Sequence, residues 1–147
     1  GDPAAMSTAL ARAADPAAPL VRDYLARIVK MMPVDDTVLK PGAEDRLIAR
    51  LRAERSSGYV AIALDERGKT FTSAGFASLV ESWMTAGRTG AAFFIGAAEG
   101  LSPGFIKEAD MTLSLSSMTL PHRLARLLLA EQLYRALCIL RHIPYHK

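Results

Sequence analysis

Cysteine is almost absent from this sequence, and so are long apolar runs. The 147 residues include one cysteine, Cys138, which excludes an intrachain disulfide and a cysteine-based metal cluster. We expect Cys138 to be buried as a small apolar side chain. No apolar run approaches the roughly 20 residues that cross a bilayer, and the start does not resemble a secretory signal. These absences predict a cytoplasmic protein without a membrane segment.

Metal-ligand spacing and the common phosphate-binding motifs are also lacking. His122, His142 and His146 match no compact metal motif, so no bound metal is expected. The loop at 96–100, with the sequence GAAEG, has neither a Walker lysine nor the full Rossmann glycine pattern. Its small residues favour either a tight turn from strand to helix or close approach of a ligand to the backbone. A phosphate cradle is disfavoured.

The overall composition is that of an ordinary globular protein, with 50% hydrophobic and 22% charged residues. Residues 1–5 precede Met6 and are expected to be an expression remnant, which leaves one domain over 6–147. The net charge of +3 does not distinguish an RNA-binding protein from other basic proteins. Its distribution is more informative, because basic side chains crowd the last quarter of the chain, which is compatible either with phosphate contacts or with a solvated helix face.

Apolar runs and helical periodicity alternate through the second half of the chain. Apolar runs at 59–64 and 91–95 predict buried strands, and a third strand is predicted at 111–115. The segments between and after these strands have helical spacing. In the first half of the chain, helical spacing predicts one helix over 19–30 and a second that includes 47–51 and ends near residue 54. Residues 37–39 give a weak strand signal. No strand is predicted between Met6 and Pro19. The pattern predicts an α/β fold, a parallel sheet with helices on both faces.

Three loops are expected at the carboxyl edge of this sheet, where open α/β folds bind ligands. They are residues 65–69, 96–100 and 116–121. The last mixes hydroxyl and apolar side chains, which suits an amphipathic ligand such as an adenosine. The same segment is typical of a helix start, with Thr119 as the cap and Pro121 at the first position. Both interpretations can hold together.

The final predicted helix, 122–140, has apolar residues around most of its circumference. Such a helix is normally buried on all sides. Either a second copy of the chain covers it in a two-fold homodimer, or one domain encloses it. The tail that follows, RHIPYHK at 141–147, contains side chains that can stack on a base, exchange a proton and hold a phosphate, although a chain end without a role is the alternative.

Four strings of residues in the second half occur in a distinctive order and spacing. They are IGAAEGLSP, LSLSSMTLPH, LLLAEQLYRA and HIPYHK, preceded by VAIALDERGK. In this order they resemble the RlmH family of SPOUT methyltransferases, and the resemblance covers roughly residues 59–147. It implies a C-terminal trefoil knot, a tight homodimer, and S-adenosylmethionine bound in the knot. It also implies methyl transfer to ring nitrogen three of a pseudouridine in 23S ribosomal RNA, on the assembled ribosome.

The resemblance also assigns roles to individual residues. The implied cofactor-binding residues are Leu64, Gly96, Ala97, Leu115, Ser116, Ser117, Met118, Thr119 and Leu120. The implied catalytic residues are His122, Tyr145 and His146, as proton acceptors or as positioners of the base. Arg123, Arg126 and Arg141 are expected to neutralise RNA phosphates.

Two features depart from the family pattern and keep alternatives open. Ala97 stands where the family usually has a second glycine, and the usual first strand of the fold is missing from the predicted elements. One alternative is therefore a catalytically impaired homologue that acts as a dimeric RNA-binding or ribosome-binding protein. A flavodoxin-like nucleotide-binding domain and a SPOUT enzyme with a different RNA substrate are the others.

Overall fold

A computed structural model describes residues 5–11, 15–39, 44–97 and 100–145 of the chain. Strands and helices alternate from one end to the other, as the second half of the sequence predicts. The elements are β1 (Ala5–Ala11), α1 (Ala18–Val29), β2 (Val34–Leu39), α2 (Glu44–Ser56), β3 (Tyr59–Thr70), α3 (Ser73–Thr85), β4 (Gly90–Ile95), α4 (Pro103–Glu108), β5 (Met111–Ser114) and α5 (His122–Leu140).

The strands form one five-stranded sheet in the order β2-β1-β4-β3-β5. Each neighbouring pair is parallel. The buried apolar runs of the sequence lie in the middle of this sheet, where every residue of β4 is buried. Parallel strands that are covered on both faces have this continuous apolar character. The predicted α/β class and parallel sheet are confirmed.

Helices cover both faces of the sheet, because alternate residues of each strand point to opposite sides. On one face Ile62 and Phe93 pack in a core with residues of α1, α3 and α5. On the other face Ala63 and Phe94 pack with Phe105 and other residues of α2 and α4. The small alanine side chains on this second face allow α2 and α4 to lie close to the sheet.

The sequence-based prediction that the first strand is missing is wrong. The segment Ala5–Ala11 is a strand that pairs with two neighbours, so that Met6 lies opposite Val34 in β2 and Ala91 in β4. Its alanine-rich sequence has weak intrinsic strand propensity, but propensity yields to tertiary context. A position between two parallel strands satisfies backbone hydrogen bonds on both sides, which local sequence does not report.

The last helix packs along α1 and α3 in the described chain and is only partly enclosed by them. Leu129, Leu133 and Leu137 are buried, whereas Leu128 and Ile139 are 39% and 43% exposed. The described residues therefore leave an apolar side of α5 exposed. Within the described ranges, none of the helices has the length and apolarity to span a bilayer.

Candidate functional site

Three adjacent strands are in register near the carboxyl edge of the sheet, where β4 and β5 end and β3 shifts its pairing. Leu64 of β3 pairs with Ile95 of β4 on one side and with Leu113 of β5 on the other. The loops that follow these residues therefore start from neighbouring points on one edge. The structure thus brings together the beginnings of all three loops that the sequence predicted for ligand binding.

The loop after Leu64 is a short excursion rather than the end of the strand. Pairing between β3 and β5 shifts register after Leu64 and resumes where Lys69 lies opposite Leu113. The carboxylate of Asp65 accepts hydrogen bonds from the backbone N–H of Arg67 at 2.9 Å and from its Nε at 2.7 Å. These contacts with Arg67 lower the pKa of Asp65 and hold the excursion in shape. Sequence predicted the turn at 65–69 but not the continuation of β3 beyond it.

Gly96 begins the second loop in a position with no room for a side chain. A Cβ atom there would lie 2.4 Å from the carbonyl carbon of Gly100 and 2.7 Å from the backbone nitrogen of Leu101. The loop closes on itself through a hydrogen bond from the Gly100 N–H to the Ala97 carbonyl, at 2.8 Å. Ala97 does not have a positive φ, so the additional methyl group in this chain adds no backbone strain.

The third loop is ordered by hydroxyl groups. The buried Ser114 donates from Oγ to the carbonyl oxygen of Ser116 at 2.7 Å, and Ser116 Oγ accepts from the Met118 N–H at 2.9 Å. Leu115 packs against the core, and Leu120 is half-buried. Ser117 is exposed and Met118 is 76% exposed, so the middle of the loop presents both polar and apolar surface. That mixture matches the amphipathic surface that the sequence predicted.

A contact between side chains joins the first loop to the third. Thr119 Oγ1 donates a hydrogen bond to Glu66 Oε2. The predicted capping role of Thr119 is wrong, because α5 starts at His122 with Pro121 in the cap position and no side-chain cap. The Thr119 hydroxyl instead holds the two loops together. Sequence analysis selected both loops but did not single out Glu66.

Three of the predicted catalytic and RNA-binding residues lie in the first two turns of α5. His122 is its first residue and directly follows the third loop, and Arg123 is next to it. Both are half-buried. Arg126, one turn further on, points its guanidinium to the carboxylates of Asp36 and Asp15, and its side chain is 11% exposed. This geometry does not favour the predicted contact of Arg126 with RNA.

Arg141, the third predicted RNA-binding residue, lies at the opposite end of α5. Its guanidinium donates to the carbonyl oxygen of Met31 at 2.8 Å, and the residue remains exposed. After it the chain turns at His142, whose φ is 55°. The predicted catalytic residue His146 lies outside the described residues.

Tyr145 packs against α5 of its own chain rather than at the three loops. Its hydroxyl donates to Glu131 Oε2 at 2.8 Å and lies 3.3 Å from the hydroxyl of Tyr24. Its ring meets the Tyr134 ring edge-on at 4.8 Å, with the guanidinium of Arg135 4.6 Å from its centroid. Burial, with the hydrogen bonds to Tyr24 and Glu131, raises the pKa of Tyr145. The phenol is therefore a neutral hydrogen-bond donor in this position.

The distance between Tyr145 and the three loops follows from helix geometry. Glu131 is nine residues beyond His122 in α5, a rise of roughly 14 Å along the helix axis at 1.5 Å per residue. The structure therefore brings His122 close to the loops and leaves Tyr145 well along the helix from them. Among the described residues, His122 and Tyr145 are therefore not brought together within one chain.

A basic pocket lies at the opposite edge of the sheet, and the arginine side chains that line it already bind other groups of the protein. It has a volume of about 370 Å³ and is lined by Arg52, Arg55, Ser56, Arg88 and Asp110. Arg52 pairs with Glu108 at 2.7 Å, and Arg55 pairs with Asp110 at 3.1 Å. Arg88 donates to two backbone carbonyls at the start of β3. Because these arginines already tie α2, α4 and β3 together, we assign no ligand to the pocket.

No metal centre is found in the part of the chain that the structure describes, where no three His, Cys, Asp or Glu side chains gather. Comparison with known proteins points instead to group transfer. A family model described as predicted SPOUT methyltransferase matches residues 8–146.

Curated relatives agree with the family model over most of the chain. A ribosomal RNA large subunit methyltransferase H from Dechloromonas aromatica is 41% identical over 134 residues, which is 85% of each chain. The protein of the same name from Acidiphilium cryptum is 46% identical over 141 residues, or 90% of this chain and 85% of the relative. The predicted resemblance to the RlmH family is thereby confirmed, and the flavodoxin-like alternative is wrong.

Solved structures support the fold at lower sequence identity. A methylase family protein from Neisseria gonorrhoeae aligns with a TM-score of 0.52 at 11% identity, covering 96% of this chain and 95% of the other. The SpoU methyltransferase AviRb from Streptomyces viridochromogenes aligns with a TM-score of 0.50 at 16% identity, covering 93% of this chain and 60% of its own. Together with the family model over residues 8–146, these comparisons show that the chain belongs to the SPOUT methyltransferase family.

Proposed function

We propose that this protein uses S-adenosylmethionine to methylate ring nitrogen three of a pseudouridine in 23S ribosomal RNA. The observation that carries the proposal is the register of Leu64, Ile95 and Leu113 in neighbouring strands, which starts three loops of suitable chemistry from one edge of the sheet. The names of the curated relatives supply the substrate class, ribosomal RNA of the large subunit. Such a substrate is consistent with work in the cytoplasm on assembled ribosomes.

The residues at this edge fit S-adenosylmethionine by their chemistry. The cofactor has an adenosine with polar edges and an apolar ring face, and it supplies an electrophilic methyl group when bound. Gly96 lets the loop turn tightly against the backbone of Gly100 and Leu101, and the half-buried Ala97 follows it with only a small side chain beside a ligand. Leu115, Met118 and Leu120 offer apolar contacts, and Ser116, Ser117 and Thr119 offer hydrogen bonds. Leu64 lies at the start of the first loop, where the pairing of β3 with β5 shifts register.

Catalysis then requires the acceptor nitrogen to be held in line and to lose its proton. His122 is placed for this role, because it follows the third loop directly and begins α5. A neutral imidazole can accept a proton or hydrogen-bond the base. Orientation of the base accounts for much of the acceleration in such a transfer.

The tail residues Tyr145 and His146 are proposed to act in the site of a partner subunit. Tyr145 contacts α5 far from the three loops of its own chain, so it is poorly placed to act on a substrate bound there. A two-fold homodimer would bring the tail of one protomer to the loops of the other. The exposed apolar side chains of α1 and α5 support this dimer, because large exposed apolar surfaces mark interfaces. They are Leu20, Val29, Leu124, Leu128 and Ile139.

The trefoil knot of the family is part of the same proposal, with the cofactor loops 96–100 and 115–121 as its ligand-binding part. Arg123 and Arg141 are the proposed phosphate contacts. Arg123 borders the site at the start of α5, and Arg141 is exposed at its end. Phosphate contacts of this kind position an RNA without reading its sequence.

The two sequence features that suggested a catalytically impaired homologue no longer support that alternative. The first strand is present as β1, and Ala97 has an unstrained backbone. A different RNA target remains an outcome that experiment must decide. Mass spectrometry of 23S ribosomal RNA from cells with and without the gene tests activity and target together. The proposal expects a methylated pseudouridine that disappears with the gene and returns with a plasmid copy. An unchanged 23S modification profile would overturn it.

A further inference from the structure

Arg126 joins three distant parts of the chain through buried charges. Its guanidinium hydrogen-bonds the carboxylate of Asp36 in β2, and Nη1 lies 3.7 Å from the carboxylate of Asp15. The three side chains are 11%, 20% and 9% exposed, respectively. Removing a guanidinium from water is unfavourable unless carboxylates compensate, so this arrangement depends on all of its members.

Each carboxylate in this cluster fixes a separate element. Asp15 precedes α1 and also accepts from the backbone N–H of Ala17 at 2.9 Å, at the start of that helix. Asp36 belongs to the outermost strand on its side of the sheet. Arg126 lies four residues after His122, at the start of α5. The cluster therefore anchors the first turns of α5 to both β2 and α1.

The surroundings of Arg126 argue against phosphate binding. Its side chain is 11% exposed and its guanidinium already contacts the carboxylates of Asp15 and Asp36, so it is poorly placed to reach an RNA backbone. Arg123, which directly follows His122 on the same helix, remains the better phosphate contact. A different role is needed for Arg126.

We propose that Arg126 is a positioning residue for the cofactor loop. By fixing the start of α5 against Asp36 and Asp15, it holds the loop 115–121 in the conformation that binds S-adenosylmethionine. The start of α5 is joined directly to this loop, because the Ala125 N–H donates a hydrogen bond to the Pro121 carbonyl at 3.0 Å. A shift of the helix start would therefore move the end of the loop. This inference rests on the proposed function, since the ligand of the loop is the methyl donor.

The adjacent residue Asp35 supplies a matched control. Consecutive residues of a strand point to opposite faces, and Asp35 pairs with Arg50 of α2 at 3.1 Å. Asp35→Asn and Asp36→Asn thus make the same chemical change at neighbouring positions. Asp36→Asn weakens the contact with α5, and Asp35→Asn does not touch it.

The test compares the full-length wild type with Arg126→Met, Arg126→Lys, Asp36→Asn and Asp35→Asn. Calorimetric titration measures S-adenosylmethionine affinity without RNA, and steady-state assays on pseudouridine-containing ribosomes measure kcat and each KM. We expect Arg126→Met to weaken cofactor binding roughly ten-fold or more, because small displacements of a site have effects of this order. Asp36→Asn should weaken it less, Arg126→Lys should recover part of the affinity, and Asp35→Asn should match the wild type.

The readouts separate positioning from general destabilisation and from RNA binding. Loss of folded protein lowers kcat without changing the KM for the cofactor, whereas mispositioning raises that KM and leaves the KM for ribosomes unchanged. Normal cofactor affinity in folded Arg126→Met, with a raised KM for ribosomes, would overturn the inference in favour of RNA binding. If Arg126→Met does not fold, unchanged cofactor affinity in Asp36→Asn overturns it instead. A wild type that binds no cofactor would mean that the proposed function itself has failed.

Discussion

Leu64 of β3 lies in register with Ile95, the last residue of β4, so the excursion after Leu64 and the loop after Ile95 begin at the same level. Leu113 of β5 is paired with Leu64 from the other side. Three loops that are far apart in sequence therefore begin side by side. The hydrogen bond from Thr119 to Glu66 then ties two of them together. This edge is the foundation of the proposed methyl-donor site.

Gly96→Ala is expected to damage this edge directly. The new Cβ would lie 2.4 Å from backbone carbon of Gly100, and backbone atoms cannot move aside as a flexible side chain can. We expect a loss of about 1 to 3 kcal/mol in the free energy of unfolding, as for other forced overpacking. Cofactor affinity should fall roughly ten-fold or more as the loop shifts. Thermal melting and calorimetric titration measure the two effects.

Gly104→Ala is the matched control for this substitution. Gly104 lies in α4, and the nearest atom to an added Cβ is Ser102 Oγ at 3.9 Å. Alanine is favoured over glycine in a helix by up to about 1 kcal/mol, so stability should be unchanged or higher. Equal cofactor affinity in Gly96→Ala and Gly104→Ala would contradict a ligand site at the loop 96–100.

Thr119→Val is expected to release the contact between the first and third loops. Valine keeps the shape of threonine but cannot donate to Glu66. Because both side chains are exposed, the free energy of unfolding should change by less than about 1 kcal/mol. The KM for S-adenosylmethionine should rise several-fold, and Thr119→Ser, which retains the hydroxyl, should remain close to the wild type. Identical kinetics in the valine and serine variants would show that the hydroxyl has no role.

Alkaline pH is expected to loosen the tail from α5. The raised pKa of Tyr145 means that the folded state favours the neutral phenol, which donates to Glu131. This stabilisation is complete below the ordinary tyrosine value of 10.0 and is lost as the pH rises above it through the higher folded-state pKa. Tyr145→Phe removes the hydrogen bond, so the variant should be less stable by about 1 kcal/mol near neutrality.

Urea unfolding of the wild type and Tyr145→Phe across this pH range measures the difference. The difference in free energy of unfolding between the wild type and Tyr145→Phe should become smaller above the ordinary tyrosine pKa. A gap that stays constant into the alkaline range would mean that the Tyr145 hydroxyl does not stabilise the folded state through this contact. Tyr59→Phe, at the start of β3, serves as a control for the loss of a tyrosine hydroxyl elsewhere in the chain.

Mixing two impaired variants is expected to restore part of the activity if the tail acts in a partner subunit. Gly96→Ala weakens the cofactor site, and Tyr145→Ala removes the tail side chain. A mixed dimer retains one site with an intact loop and an intact partner tail. Random exchange of subunits makes about half of the dimers mixed, so roughly a quarter of the wild-type sites should return. Absence of any recovery after verified subunit exchange would place Tyr145 in the site of its own chain.

The sequence was sufficient for the central strands and their loops. Apolar runs such as 59–64 and 91–95 are long enough to mark buried parallel strands. Pairing of these strands in one parallel sheet then places Leu64 beside Ile95. β1 could not be found in this way. Its residues have weak strand propensity, and its stability comes from pairing with β2 and β4, which are far away along the chain.

Side-chain partners across long sequence separations were equally inaccessible. Arg126 and Asp36 are 90 residues apart, and Thr119 and Glu66 are 53 apart. A motif identifies residue types, but it does not report which charge a guanidinium faces after folding. The one local signal for Asp36 was the presence of two aspartates in a strand, where aspartate is depleted.

Hydrogen exchange measured with and without S-adenosylmethionine tests the central claim most directly. The cofactor should slow amide exchange in three separate peptides, those spanning residues 64–70, 95–101 and 114–121. The basic pocket around Arg52 and Arg55 at the opposite edge should exchange at an unchanged rate. Protection at that edge alone, or saturating cofactor without protection at any of the three loops, would contradict the account.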